Sequence, residues 1–224
     1  MSYKIGILGG MGPMATAKLY EMIINHTDAA CDQDHIEMVI LNNCSIPDRT
    51  AAILNNGNDP VDKINQGIKT LEQLKCEYFV IPCNTAHYFK NRFIMNNIKM
   101  IDMIEEALRF IKDNYVNPKV CVLCTNGTKE SHVYETDTLL KIGYPSVLNQ
   151  AKVMEVIYQT KAGFHKLDLL NEIIEKEKDN FDIFLFACTE LSIYYDNYHQ
   201  NENILDAMDI LSKKVVIKSG KKLK

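Results

Sequence analysis

The feature that most limits how this chain can fold is a repeat inside it. Lys4-Ile5-Gly6-Ile7-Leu8-Gly9-Gly10-Met11-Gly12 is answered, 115 residues on, by Lys119-Val120-Cys121-Val122-Leu123-Cys124-Thr125-Asn126-Gly127. Phe79-Val80-Ile81-Pro82-Cys83-Asn84-Thr85 is answered, 105 residues on, by Phe184-Leu185-Phe186-Ala187-Cys188-Thr189-Glu190. Each match alone is weak, because one apolar strand resembles another. Two matches in the same order point to two similar halves. Around them, apolar β-type runs alternate with helical spacing. Strands are expected at Lys4–Leu8, Ile36–Leu41, Tyr78–Ile81, Val120–Leu123 and Phe181–Phe186. Helices are expected over Ala15–Ala29, Val61–Leu74, from about Asn84, over Met103–Ile111 with Asp102 as cap, and over Val153–Ala162, Leu167–Glu177 and Asn203–Val216. Such alternation implies parallel sheets covered on both faces. The expected fold is therefore α/β: two similar parallel-sheet domains with the functional site in the cleft between them. Residues 1–102 plus a C-terminal helix of about 203–224 form the first domain, and residues 103–202 the second.

The useful point is what the repeats pair. Each half carries one cysteine at the same strand-to-helix turn, Cys83 in one and Cys188 in the other. Ligands of open parallel sheets sit at the carboxyl ends of the strands, so two halves facing each other set both thiols across one cleft. Asn84 or Thr85 can cap the helix after Cys83, and unpaired N–H groups at a helix start favour a thiolate. One such cysteine is more often a buried thiol filling a turn; two at equivalent turns reverse that preference. Two opposed acid/base groups, one thiolate and one thiol, are what inversion at a carbon requires. One takes a proton from one face, and the other returns a proton to the opposite face.

Composition excludes other classes. A net charge of −4 argues against an electrostatic nucleic-acid binder. The apolar run after Met1-Ser2-Tyr3-Lys4 is far too short for a signal peptide or a membrane span, and a cytosolic location is expected. Seven cysteines without small-domain disulfide spacing are expected as thiols. Cys121-Val122-Leu123-Cys124 has CxxC form, but it lies in a strand that matches Gly6-Ile7-Leu8-Gly9, and no second CxxC or His pair completes a zinc site. Gly9-Gly10-Met11-Gly12-Pro13 lacks GxGxxG spacing and the Lys-Ser/Thr of a Walker loop, so it reads as a tight turn beside a ligand, able to offer N–H groups to a carboxylate. The lysines of the last dozen residues read as a solvated helix end and tail.

Arg49 stands out by rarity, one of three arginines among 25 basic residues. In Ile46-Pro47-Asp48-Arg49-Thr50 it follows a strand on the presumed ligand side. It suits either a carboxylate grip or a surface ion pair with an acid such as Asp48. Lys161 shares the helical stripe of Met154, Ile157 and Tyr158, where a lysine often only snorkels. His87, one turn after Cys83, reads as packing.

Taken together, the glycine loop from Gly6 to Pro13, Asn42-Asn43 with Ile46-Pro47-Asp48-Arg49-Thr50, Pro82-Cys83-Asn84-Thr85-Ala86-His87 and Ala187-Cys188-Thr189-Glu190-Leu191 resemble the aspartate/glutamate racemase family, especially its aspartate racemase branch. The resemblance implies racemisation of an acidic amino acid, first of all aspartate, without PLP or any other cofactor, by a homodimer. It implies Cys83 and Cys188 as the two bases. It puts Asn84, Thr85 and Thr189 around the α-carboxylate, with Met11 and Gly12 close by, and Arg49 with Lys161 at the distal carboxylate. Ala187 and Ser192 depart from the Gly and Pro often found there, and neither change removes a reacting group. The expected partner is a small-molecule amino acid, with no nucleic acid, membrane or metal. The alternatives are a glutamate or broad-specificity racemase of the same superfamily and, from another class, a non-catalytic amino-acid-binding protein.

Overall fold

The computed structural model describes residues 3–198 and 200–224; Met1 and Ser2 lie outside them. Two four-stranded parallel sheets form. In the first, β1 (Ile5–Gly9), β2 (Met38–Asn42), β3 (Tyr78–Val80) and β4 (Lys99–Met100) take the order β2-β1-β3-β4. In the second, β5 (Lys119–Leu123), β6 (Lys141–Gly143), β7 (Ile183–Phe186) and β8 (Ile204–Asp206) take the same order, β6-β5-β7-β8. The repeat seen in the sequence is thus a repeat of topology: β1 and β5 are counterparts, and so are β3 and β7.

The central strands are buried on both faces, which is why they read as continuous apolar runs. Ile5, Ile7 and Val80 of the first half and Val120, Val122, Ile183 and Leu185 of the second point into one shared core. Three helices fill it: α1 (Pro13–His26), α4 (Met103–Asn114) and α8 (Ala207–Lys218). The alternate residues face outward into a separate core in each half. Leu8, Phe79 and Ile81 pack on α3 (Val61–Gln73). Cys121, Leu123, Phe184 and Phe186 pack on α6 (Val147–Lys161) and α7 (Leu167–Glu177). Two short helices, α2 (Arg49–Leu54) and α5 (Asn126–Glu130), meet across the halves. That approach is close. A Cβ at Gly127 would lie 2.7 Å from Thr50 Oγ1, so a side chain there would force the two apart.

The structure differs from the sequence expectations in definite places. Strands β4, β6 and β8 were not foreseen; they are two or three residues long and lie outside the apolar runs that mark β1, β3, β5 and β7. The last helix starts at Ala207 rather than Asn203, because Ile204–Asp206 pairs with β7, and Asp206 caps the helix by accepting from Met208 N. The segment after Cys83 is a 3-10 helix, Asn84–Arg92, and neither Asn84 nor Thr85 caps it; Cys83 itself occupies the cap position. Helix α1 begins earlier than expected, at Pro13, whose fixed φ suits the first turn. Tyr158 does not share the inward stripe: it is 56% exposed. Asp102 does cap α4, accepting from Ile104 N and Glu105 N. Among the described residues no helix is long and apolar enough to cross a membrane.

Candidate active site

Strand β3 pairs in parallel with β1, and β7 with β5, at equivalent places in the two sheets, and Cys83 and Cys188 follow shortly after their ends. Both thiols line a single cavity between the halves, together with Met11, Asp48, Arg49, Thr50, Asn84, Thr85, Thr125, Lys161, Ala187, Thr189 and Glu190. Eight of the nine residues singled out in the sequence therefore meet here. The ninth, Gly12, is the cap residue of α1 and stands just behind; a Cβ on it would lie 3.7 Å from Glu190 Oε1. The cavity is small, about 20 Å³ in volume.

Each group is held by an identifiable contact. The turn after β1 folds tightly because Gly10 sits at φ +92, and a Cβ there would come within 2.3 Å of Asn43 backbone. This brings Met11 beside the loop before α2. Arg49, 9% exposed, is anchored by backbone carbonyls: Nη2 donates to Met11 O at 2.8 Å and Nη1 to Pro47 O at 3.0 Å. Asp48, the acid next to it, caps α2 instead. The buried Nε of Arg49 has no partner among the described residues. An unsatisfied N–H on a buried guanidinium at the wall of a cavity is costly unless an acceptor arrives.

On the Cys83 side, His87 is fully enclosed. Its Nδ1 bonds Cys83 O at 2.9 Å, and its Nε2 accepts from Met103 N at 3.3 Å. Burial pushes its pKa down, and a neutral ring with Nδ1 as donor satisfies both contacts. His87 thus fixes the Cys83 backbone, as the packing expectation had it, and adds a hydrogen bond. Thr85 Oγ1 lies 3.0 Å from Thr125 Oγ1 and 2.8 Å from Thr128 Oγ1. Asn84 Oδ1 accepts from Tyr134 OH at 2.5 Å. Thr125, Thr128 and Tyr134 all belong to the second half, so the Cys83 turn is held from across the cleft.

On the Cys188 side a carboxylate, Glu190, joins the thiol. Cys188 Sγ donates to Glu190 Oε2 at 2.9 Å, and Glu190 Oε1 lies 3.6 Å from Lys161 Nζ. Burial, and then the Glu190 charge, push the Cys188 thiol well up; Lys161 works the other way. Lys161, its side chain 37% exposed at the rim, is subject to burial, which lowers its pKa, but Glu190 and the two cysteines outweigh that and raise it. The signal for Glu190 was present in the sequence: it occupies, after Cys188, the position that Thr85 occupies after Cys83. Thr189 is buried on the same wall. Cys121 and Cys124 are fully buried in and just after β5, away from the cavity, with burial raising both thiols. Among the described residues no cluster of His, Cys, Asp or Glu could hold a metal ion.

The chain is similar to known proteins along nearly its whole length. The sequence model of the Asp/Glu/hydantoin racemase family matches residues 8–215. The structure of an aspartate racemase from Picrophilus torridus superposes with a TM-score of 0.89 at 33% identity, covering 99% of this chain and 96% of that one. A broad-specificity amino-acid racemase of Bacillus subtilis, RacX, is 28% identical over 95% of this chain and 96% of its own length. Glutamate racemase from Francisella tularensis, solved with D-glutamate, shares the fold at a TM-score of 0.61 and 16% identity, covering 98% of this chain and 82% of that one. With the match running through both halves and both cysteine turns, the chain belongs to the Asp/Glu/hydantoin racemase family and is an amino-acid racemase.

Proposed function

We propose that this enzyme racemises aspartate without PLP, using Cys83 and Cys188 as the two bases. The observation that carries the reading is that both thiols line one cavity whose wall includes a buried guanidinium with an N–H that has no partner among the described residues. In one half-cycle Cys83, as thiolate, takes the α-proton: an S–H bond forms, the Cα–H bond breaks, and the electron pair spreads into the α-carboxylate. Cys188, whose S–H is in place on Glu190, gives its proton to the opposite face of Cα and becomes the thiolate. The reverse reaction exchanges the roles. The amide of Asn84, the hydroxyls of Thr85 and Thr189 and the backbone near Met11 and Gly12 bind the α-carboxylate, where negative charge builds up. Arg49 receives the distal carboxylate on its free Nε edge, with Lys161 beside it.

The reading of aspartate as the substrate is supported by the Picrophilus relative, an aspartate racemase that is 33% identical over nearly the whole chain. A second reading, a glutamate or broad-specificity racemase, is favoured by the near full-length likeness to RacX. One methylene is worth only about 1–3 kcal/mol of discrimination. Incubation of the purified protein with L-aspartate and with L-glutamate, without PLP, while following D-isomer formation and α-proton exchange in D₂O, decides between them. Racemisation of neither amino acid would overturn the proposal.

A further inference from the structure

Tyr134 lies in none of the motifs described above, yet it is wholly buried in the core shared by the two halves. A phenol hydroxyl so placed needs a partner, and it has a specific one: Tyr134 OH donates to Asn84 Oδ1 at 2.5 Å, across the cleft from the second half to the first. We propose that Tyr134 is a positioning residue that sets which end of the Asn84 amide faces the substrate. The proposal rests on the reading above, in which Asn84 binds the α-carboxylate.

An amide offers an acceptor at one end and two donors at the other, and rotation by half a turn exchanges them. An anion needs the donor end. Burial raises the Tyr134 pKa well above that of a free phenol, so the hydroxyl keeps its proton and acts on Asn84 as a donor. A donor on Oδ1 holds the carbonyl end away and turns Nδ2 toward the cavity that Asn84 lines. Without that donor, the amide can present Oδ1 to the carboxylate, and a favourable contact becomes a repulsive one. The Thr85–Thr125–Thr128 hydroxyl cluster braces the next residue from the same segment of the second half. The orientation of the amide is therefore set from across the cleft.

The test is a double-mutant cycle on the full chain with Tyr134→Phe and Asn84→Ala, reading kcat and KM for the amino acid that the wild type racemises. Tyr134→Phe is expected to lower kcat/KM about tenfold or more, the worth of a charge-assisted hydrogen bond. Both a higher KM and a lower kcat are expected, because the carboxylate gains charge as the Cα–H bond breaks. In the Asn84→Ala background the same change is expected to alter kcat/KM less than twofold. Where turnover is too slow to follow, aspartate affinity measured by calorimetry in a Cys83→Ser background reads the same cycle. An equal loss in both backgrounds, or no loss in either, overturns the proposal. If Asn84→Ala itself leaves kcat/KM unchanged, the assignment of Asn84 to the α-carboxylate fails first and the role of Tyr134 falls with it. Thermal unfolding of each variant separates a loss of folded protein from a loss of function.

Discussion

Replacing Glu190 by Gln removes one negative charge from beside Cys188 and Lys161. The lost carboxylate oxygen lies 2.9 Å from Cys188 Sγ and its twin 3.6 Å from Lys161 Nζ. At an effective dielectric of roughly 20–40, a full charge 2.9 Å from the sulfur disfavours the Cys188 thiolate by about 3–6 kcal/mol. Loss of that charge therefore makes the thiolate easier to form. Removal of the charge also frees Lys161, which adds to the effect in the same direction. Glu190→Gln should therefore move ionisation of Cys188 to lower pH. Ultraviolet thiolate absorbance against pH is the direct assay, with Glu190→Gln/Cys188→Ser as the blank that identifies the sulfur. In kinetics the alkaline limb of the kcat/KM profile should move down, because the proton-bearing form of Cys188 is lost sooner. The equilibrium constant between enantiomers is unity, so kcat/KM must fall equally in both directions. A Cys188 titration that stays in place or moves upward would refute the electrostatic argument, and Glu190 would then be only a hydrogen-bond acceptor.

The remaining predictions concern the bases, the distal carboxylate and pH-dependent stability. Cys83→Ser and Cys188→Ser should each abolish racemisation, and each should leave slow α-proton exchange of only one enantiomer, the opposite one in each case; proton NMR in D₂O reads this, and racemisation at the wild-type rate by either variant ends the two-base mechanism. Arg49→Ala should lower kcat/KM on aspartate at least tenfold, since loss of a buried charge-paired contact costs about 2–5 kcal/mol, while Arg49→Lys should rescue only in part; unchanged kinetics on aspartate and glutamate would show that the acidic side chain is read elsewhere. Asp206, fully buried and with no partner for Oδ2 among the described residues, has its pKa raised to about 7 from the ordinary 3.8, first by burial. The folded state then holds this proton more tightly than the unfolded chain does, so stability falls as pH rises from about 4 to 7. Asp206→Asn, which keeps an acceptor for Met208 N, should flatten that slope in urea unfolding followed across this pH range.

How far the site was legible depended on whether a residue's partner lies in the same local motif. Cys83 and Cys188 could be found because the repeat pairs two strand-to-helix turns, and the fold then brings both ends to one cavity. Gly10 could be read as a turn residue, because few other residues adopt its φ. Arg49 was ambiguous from sequence: its donors go to the carbonyls of Met11 and Pro47, and backbone acceptors leave no trace in side-chain identity. Tyr134 was invisible, since its partner is 50 residues away and its neighbours in the chain carry no pattern. Strands β4, β6 and β8 escaped for a related reason. They are recruited by longer strands beside them, and two or three residues are too few to show a period. The segment after Cys83 was read as helical correctly, but its tighter 3-10 winding moved the cap from Asn84 and Thr85 onto Cys83 itself.

The seam where Gly127 lies against Thr50 is too tight to admit even a methyl group. The two residues belong to α5 and α2, the short helices that meet across the halves. Thr50 itself and Thr125, the residue that caps α5, both line the cavity that holds the two cysteines. A side chain at position 127 would therefore be felt in the width of that cavity as well as at the seam. The spacing of the two halves rests on the absence of a single methyl group.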